Sequence, residues 1–244
     1  MARLIGLQAG HENQKNNCVP ALRPGTGAPG EVEFTVRIRN RLSQILLSKK
    51  NTDGSKAFSI QLDDGTANCQ SNTTGKNFDF YLALHYEADV HGKDGGMICA
   101  PDPSMDVVSP ESNRIVKAIE SEYFKNAGIV NRPEWISNNM RFYYMWRYLT
   151  ASTPCGLIEC GVGLNAHDKV ILADTDRVAN AIAREICKAF NVPFDVVIPV
   201  PPIPPVTDFE KKYNDEVKSH NSTKEELKKT NDRIKNIKDF TANA

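Results

Sequence analysis

The sequence predicts an α/β fold in which helices flank a largely parallel sheet. Short apolar segments of strand length alternate with longer segments whose apolar residues recur every three or four positions, the spacing of an amphipathic helix. Several short segments, residues 78–86 above all, are strongly apolar, which is typical of interior strands in a parallel sheet. The composition, 40% hydrophobic and 25% charged residues, is that of an ordinary globular protein.

The predicted elements alternate along the chain. Residues 3–9 form a buried strand, and a helix begins at Glu31 shortly after Pro29, a residue that suits a helix start. Apolar residues at every fourth position over 178–190 predict a closing helix. The remaining predictions are strands over 57–62, 78–86, 95–100 and 156–160 and a helix over 111–126.

Composition divides the chain into a core domain over 1–196, a proline-rich linker over 197–206 and a helical tail over 207–244. Closely spaced prolines make such a linker stiff and extended. Capping boxes at Thr207 and Ser222 begin two tail helices, each with a narrow apolar stripe. Because such stripes hardly stabilise an isolated helix, we expect the tail to dock on a partner surface.

The charge balance, the N-terminal sequence and the cysteine pattern limit the binding partners and the cellular location that we expect. Lys+Arg and Asp+Glu are both 30, so a general affinity for nucleic acid or an anionic membrane is not expected. The N-terminus does not have the pattern of a secretory signal, and no apolar stretch approaches the ~20 residues of a membrane span, so we expect a cytoplasmic chain unless it is released. Six scattered cysteines predict reduced, mostly buried thiols.

Four polar residues lie at the ends of predicted elements: His11, Glu31, His85 and Glu159. Because ligands of such sheets bind beyond the carboxyl ends of the strands, one rim can gather all four. Two histidines and a carboxylate hold zinc and leave a coordination position open. A further glutamate beside it can transfer a proton. The set predicts a zinc enzyme that hydrolyses an amide bond.

Each of these residues also has a structural interpretation. His85 alone could be a satisfied core histidine, and Glu159 could be half of a buried salt bridge. Glu33 rivals Glu31 as the metal-binding carboxylate, because both lie in the first helical turn, where carboxylates are favourable in any case. Glu31 is favoured as the ligand because it directly follows Gly30.

Two more histidines and one aromatic segment remain candidates. His91 is expected to be solvated, whereas His167 could orient a substrate. Residues 141–148 contain Arg141 and several aromatic side chains that could line a groove for sugar and peptide. A half-buried strand or helix explains the same residues, so Arg141 is a weak candidate for substrate binding.

At these residues the chain resembles the zinc-dependent N-acetylmuramoyl-L-alanine amidases, among them phage endolysins. The resemblance covers residues 3–192 and consists of four pieces in the family's order. The pieces are Ala9-Gly10-His11, Gly25-Thr26-Gly27 with Gly30-Glu31, the strand into His85 with Glu87-Ala88-Asp89 and Gly95-Gly96, and Glu159-Cys160-Gly161-Val162-Gly163-Leu164-Asn165.

The resemblance implies that His11, Glu31 and His85 bind one zinc ion per chain and that Glu159 is the catalytic carboxylate. Asn165 also matches a family position and is a weak candidate for substrate binding. The implied substrate is bacterial peptidoglycan, at the amide that joins the lactyl group of N-acetylmuramic acid to L-alanine.

The chain departs from the family pattern beside these positions. Glu12 stands where the family often has glycine, Glu87 where it often has asparagine, and Val162 where its last motif has phenylalanine. The four key positions are intact, so the departures bear on wall type and rate more than on reaction class.

A phage endolysin for host lysis fits these features, since a separate membrane-permeabilising protein can release it from the host cytoplasm to the cell wall. The alternatives are a cytoplasmic enzyme that recycles wall fragments, a zinc peptidase that cuts within the stem peptide, and a non-catalytic wall-binding module. The tail is expected to bind wall polymers or to form a homo-oligomer through its helices.

Overall fold

Five strands form one mixed sheet in the order β2-β1-β3-β5-β4, in a computed structural model that describes residues 1–12, 27–63, 76–88, 92–105 and 109–194. β1, β2, β3 and β5 run parallel, and β4 joins β5 antiparallel at one edge. The strands are β1 Arg3–Ala9, β2 Phe58–Asp63, β3 Phe80–Glu87, β4 Met97–Cys99 and β5 Cys155–Val162. The predicted α/β fold is confirmed.

Helices of the described residues lie between β1 and β2, between β3 and β5 and after β5, and they pack on the sheet. They are α1 Glu31–Leu47, α2 Pro110–Ala127, α3 Asn138–Arg141, α4 Ala166–Ala173 and α5 Thr175–Ala189, with 3₁₀ helices over Pro133–Trp135 and Tyr144–Tyr148. α5 packs against both α1 and α2. Ser109 begins α2 as its N-cap, and Gly128 ends it in a left-handed conformation.

The central strand β3 is buried on both faces, which explains its continuous apolar sequence. On one face, Leu82 and Leu84 belong to the larger core, which includes the buried sides of α1, α2 and α5. On the other face, Tyr81 and Ala83 contact a second cluster that contains Trp146. Because side chains alternate along a strand, His85 lies on the face of this second cluster.

Some predicted elements differ from the observed ones. The strand expected over 95–100 is the three-residue antiparallel β4, and the closing helix begins at Thr175 and ends at Ala189. The sequence interpretation missed α4, and the segment 141–148 consists of the end of α3 and a 3₁₀ helix. None of the described helices is long and apolar enough to span a membrane.

Four cysteines of the described part of the chain are buried free thiols, as expected: Cys99, Cys155, Cys160 and Cys187. Several sequence predictions fall outside the described residues. They concern Cys18, Cys69, Gly25, Thr26, Asp89, His91, the linker over 197–206 and the tail over 207–244.

Candidate metal centre

His11 lies two residues beyond the end of β1, after Gly10, in a left-handed backbone conformation with φ 58°. The turn is held from both sides: the amide of Gly10 donates to the carbonyl of Leu84 at 2.8 Å, and the Thr35 hydroxyl donates to the carbonyl of Gly10 at 2.9 Å. These bonds connect the end of β1 to β3 and α1. The imidazole is therefore carried by backbone that two neighbouring elements fix.

Glu31 is the first residue of α1 and is 3% exposed. Gly30 precedes it with φ 82°, a conformation that favours glycine. The Oε2 atom of Glu31 accepts a hydrogen bond from the amide of Ala28 at 2.9 Å, which fixes the carboxylate at the helix start. Glu33, its rival in the sequence, is exposed.

The two histidines converge on this carboxylate. His85 Nδ1 lies 2.9 Å and His11 Nε2 3.5 Å from Oε1 of Glu31. The two rings meet edge to face with centroids 5.0 Å apart. One potential ligand atom from each of the three residues lies within 4.8 Å of the other two, so the set can hold one metal ion. Two nitrogens and a carboxylate oxygen are donors that zinc accepts.

Electrostatics favour the metal-binding protonation states of His11 and Glu31. Burial, together with the nearby charge of His85, lowers the pKa of His11 against the opposing effect of Glu31. Burial acts to raise the pKa of Glu31, but the hydrogen bond and charge of His85, the charge of His11 and the Ala28 amide lower it overall. A neutral imidazole and an ionised carboxylate are the forms that bind metal.

Glu159 lies beside this cluster, on the neighbouring strand. It pairs in register with His85 across β3 and β5. Its Oε2 atom is buried and has no hydrogen-bond partner among the described residues. Burial, reinforced by the negative charges of Glu31 and Glu87, raises the pKa of Glu159 well above its ordinary value.

Gly27 lies against the other side of the centre. A Cβ atom there would lie 2.9 Å from Cγ of His11 and 3.2 Å from Oε2 of Glu31. Only a residue without a side chain fits this position without displacing one of the two. The glycine of the sequence motif therefore allows the loop to approach the candidate ligands closely.

Two weaker candidates do not join the cluster. Asn165 is the N-cap of α4, and its Oδ1 accepts hydrogen bonds from the amides of His167 and Asp168. Arg141 ends α3, where its carbonyl accepts from the amide of Asp102 at 3.0 Å. Within the described ranges, no hydrogen bond or ion pair connects the Arg141 guanidinium to the three candidate ligands.

His167 belongs to a second cluster, with Asp94 and Asp168. The Oδ2 atom of the fully buried Asp168 accepts from the amides of Gly95 and Val162, and its Oδ1 lies 3.0 Å from His167 Nδ1. Asp94 forms an ion pair with Arg132 at 3.2 Å. These contacts join the segment before β4 to the end of β5.

The sequence interpretation did not single out Tyr143, which contacts the candidate centre. Its hydroxyl lies 3.2 Å from His85 Nε2, and the two rings meet edge to face with centroids 5.5 Å apart. The aromatic run over 141–148 was the available signal, but nothing in that run distinguishes one tyrosine from the others.

No protein-family model and no curated protein matches the chain by sequence. Solved structures do match its fold. An N-acetylmuramyl-L-alanine amidase from Mycobacterium smegmatis matches with TM-score 0.59 and 16% identity, over 78% of this chain and 97% of that one. An N-acetylmuramoyl-L-alanine amidase from Clostridium difficile 630 matches with TM-score 0.56 and 17% identity, over 78% and 97%.

The catalytic domain of an endolysin targeting Clostridia difficile also matches, with TM-score 0.52 and 14% identity, over 76% of this chain and 97% of that domain. At these identities the likeness establishes the fold. The chain has the α/β fold seen in N-acetylmuramoyl-L-alanine amidase structures, with a His-Glu-His cluster and, beside it, a glutamate whose Oε2 atom is buried.

Proposed function

We propose that this chain is a zinc-dependent N-acetylmuramoyl-L-alanine amidase that hydrolyses the amide between N-acetylmuramic acid and L-alanine in peptidoglycan. The observation that carries the proposal is the convergence of His11, Glu31 and His85 beside the unpartnered carboxylate of Glu159. The amidase structures of the same fold support the substrate class.

His11, Glu31 and His85 would hold the zinc ion, and the fit rests on their converging donor atoms and on the lowered pKa values of His11 and Glu31. Zinc in such a site supplies Lewis acidity that makes water nucleophilic near neutral pH. The three residues come from the end of β1, the start of α1 and β3. The backbone of each donor is therefore fixed: His85 lies in the sheet, Glu31 lies in the first turn of a helix, and the turn before His11 is hydrogen-bonded to β3 and α1.

Glu159 is proposed to transfer the proton. Its carboxylate takes a proton from the attacking water and returns it to the amine that leaves with L-alanine. A pKa raised by burial suits both steps, because such a carboxyl binds and releases a proton closer to neutral pH. The missing hydrogen-bond partner of Oε2 leaves that oxygen available to water or substrate.

We also propose a biological role, that of a phage endolysin, located in the host cytoplasm and released to the wall. The fold shared with an endolysin catalytic domain supports this role.

The tail over 207–244 is proposed to bind wall polymers or to form a homo-oligomer. Light scattering of the full-length chain tests the second role, since a monomer mass excludes it.

Product analysis tests the reaction. Purified sacculi are digested with the full-length chain, and mass spectrometry identifies the new amino termini. The amidase releases L-alanine amino termini, loses activity with a chelator and regains it with zinc. A new terminus at another stem residue would instead indicate a peptidase, and no new terminus at all would indicate a wall-binding module.

Substrate form separates the two settings. An endolysin clears intact sacculi, whereas an enzyme of wall recycling cleaves soluble muropeptides and leaves intact sacculi uncleared. The same zinc-loaded preparation is assayed on both substrates, so differences in folding or metal content do not contribute.

A further inference from the structure

His85 is contacted at both of its ring nitrogens. Nδ1 lies 2.9 Å from Oε1 of Glu31, on the side of the candidate metal ligands. Nε2 lies 3.2 Å from the hydroxyl of Tyr143, on the opposite side of the ring. His85 is buried, so these two protein partners define the chemical environment of its nitrogens.

Tyr143 is itself held by aromatic packing. Its ring meets Tyr144 at a centroid distance of 4.8 Å and Trp146 at 5.3 Å. Trp146 is fully buried, and its amide donates to the carbonyl of Tyr143 at 3.1 Å. The hydroxyl that faces His85 is therefore carried by a residue whose backbone and ring are both fixed.

The contacts continue from Tyr143 to β1. The ring of Tyr143 packs edge to face on Tyr144, and the Tyr144 hydroxyl accepts a hydrogen bond from Nε2 of Gln8 at 3.2 Å. Gln8 is 1% exposed, lies on β1 and precedes His11 by three residues. A chain of side-chain contacts thus connects β1, which His11 follows, to His85 on β3.

A neutral imidazole carries one proton, on either nitrogen. When Nδ1 carries it, Nδ1 donates to Glu31 and the Tyr143 hydroxyl can donate to Nε2. When a metal replaces the proton on Nδ1, the proton must lie on Nε2, and the same hydroxyl can accept it. A tyrosine hydroxyl both donates and accepts, so it satisfies the ring in either state.

We propose that Tyr143 is a positioning residue that holds His85 with Nδ1 directed at the metal and with the proton on Nε2 when metal is bound. The inference rests on the proposed zinc site. Metal-bound histidines usually donate their second ring N–H to a fixed acceptor, and loss of that acceptor typically weakens metal binding ~10- to 100-fold.

Tyr143→Phe tests the proposal, with Tyr148→Phe as the matched control. Both tyrosines pack against the same aromatic cluster, and Tyr148 lies on the adjoining 3₁₀ helix. Zinc affinity is measured by competition with a chelator, and cobalt binding by its absorption spectrum. We expect at least about tenfold weaker zinc binding and an altered cobalt spectrum for Tyr143→Phe, and values near wild type for Tyr148→Phe.

A second measurement uses the wild-type chain and does not depend on how the variant folds. Nitrogen-15 NMR of the zinc-loaded protein should show the His85 proton on Nε2. A proton on Nδ1, or unchanged zinc affinity in folded Tyr143→Phe, would overturn the inference and leave the amidase proposal standing. A wild-type chain that binds zinc through Nδ1 of His85 but cleaves no amide would overturn the amidase proposal alone. A chain that binds no zinc overturns both.

Discussion

Gly10 lies against the imidazole of His85 so closely that a Cβ atom on Gly10 would overlap ring atoms Nδ1 and Cε1. The same Cβ would lie 2.7 Å from the carbonyl oxygen of Leu84, which accepts the Gly10 amide. Glycine at position 10 therefore leaves room for the imidazole of His85, one candidate ligand. It is followed directly by His11, another candidate ligand.

Gly10→Ala should weaken zinc binding by about tenfold or more, because the methyl group forces His85 away from Glu31. Chelator competition measures the effect. Gly6→Ala is the control: Gly6 lies on β1, four residues before Gly10, and its Cβ would overlap the ring of Tyr81 instead. That variant should lose about 1–3 kcal/mol of unfolding free energy while keeping its zinc affinity. Equal zinc affinities in both variants would contradict the prediction.

Glu159→Gln should bind one zinc ion per chain and lose turnover by about 10²- to 10⁴-fold, because an amide cannot take and return a proton. Zinc content is measured by metal analysis and turnover by release of L-alanine amino termini. Glu33→Gln provides the control, since this exposed glutamate lies on the same helix as Glu31. An active Glu159→Gln variant would remove Glu159 from the mechanism.

Glu12 forms an ion pair with Arg39, whose side chain is 8% exposed, and so anchors the residue after His11 to α1. Glu12→Gln should lower the unfolding free energy by about 1–2 kcal/mol, because the charge of Arg39 stays buried with a weaker partner. Denaturant titration measures this. The exposed pair of Arg41 and Asp176 offers the comparison: Asp176→Asn should change stability by less than about 0.5 kcal/mol. Equal losses of unfolding free energy in Glu12→Gln and Asp176→Asn would show that the burial of Arg39 does not strengthen its ion pair.

Asn165→Ala should cost about 1 kcal/mol of stability, because α4 loses the oxygen that accepts the amides of His167 and Asp168. Asn165→Asp keeps a capping oxygen and should retain most of the stability. Thermal unfolding and the KM for wall fragments are measured together. A raised KM with unchanged stability would instead support the substrate role suggested by the sequence motif.

The positions of the main helices and strands could be predicted because their apolar residues recur with a clear periodicity. β3 is strongly apolar and is covered on both faces, and Glu31 opens α1 as Pro29 just before it suggested. The missed α4 has only eight residues, and β4 has only three, so neither contains enough turns or alternations for its spacing to be distinctive.

The candidate site could be predicted where strand ends carry the residues, as for His11 and His85. The contact between His85 and Tyr143 could not, because it joins residues 58 positions apart through packing that no local pattern encodes. The same holds for Glu12, which the sequence marked only as a departure from a family pattern. Its partner Arg39 lies on another element, and their pairing depends on how α1 packs against the end of β1.

Glu159 should also make the metal-free protein less stable as the pH rises. Burial raises its pKa above the ordinary value of 4.5, so between these two values the unfolded chain has released a proton that the folded chain retains. Stability then falls with increasing pH across that window. Lowered pKa values at His11 and Glu31 act in the opposite direction, and both groups remain in a Glu159 variant.

Comparison of Glu159→Gln with the wild type therefore isolates the contribution of Glu159. With a chelator present, the two should have similar melting temperatures near pH 4.5, where the wild-type carboxyl is protonated in the folded state. The variant should become progressively more stable than the wild type as the pH rises above 4.5, since glutamine carries no charge to bury. In a chain of this size each kcal/mol corresponds to about 2–4 °C. A difference in melting temperature that stays constant with pH would show that the folded protein tolerates the ionised carboxylate of Glu159. The melting temperatures of the two proteins diverge with pH only if the pKa of Glu159 differs between the folded and unfolded chain.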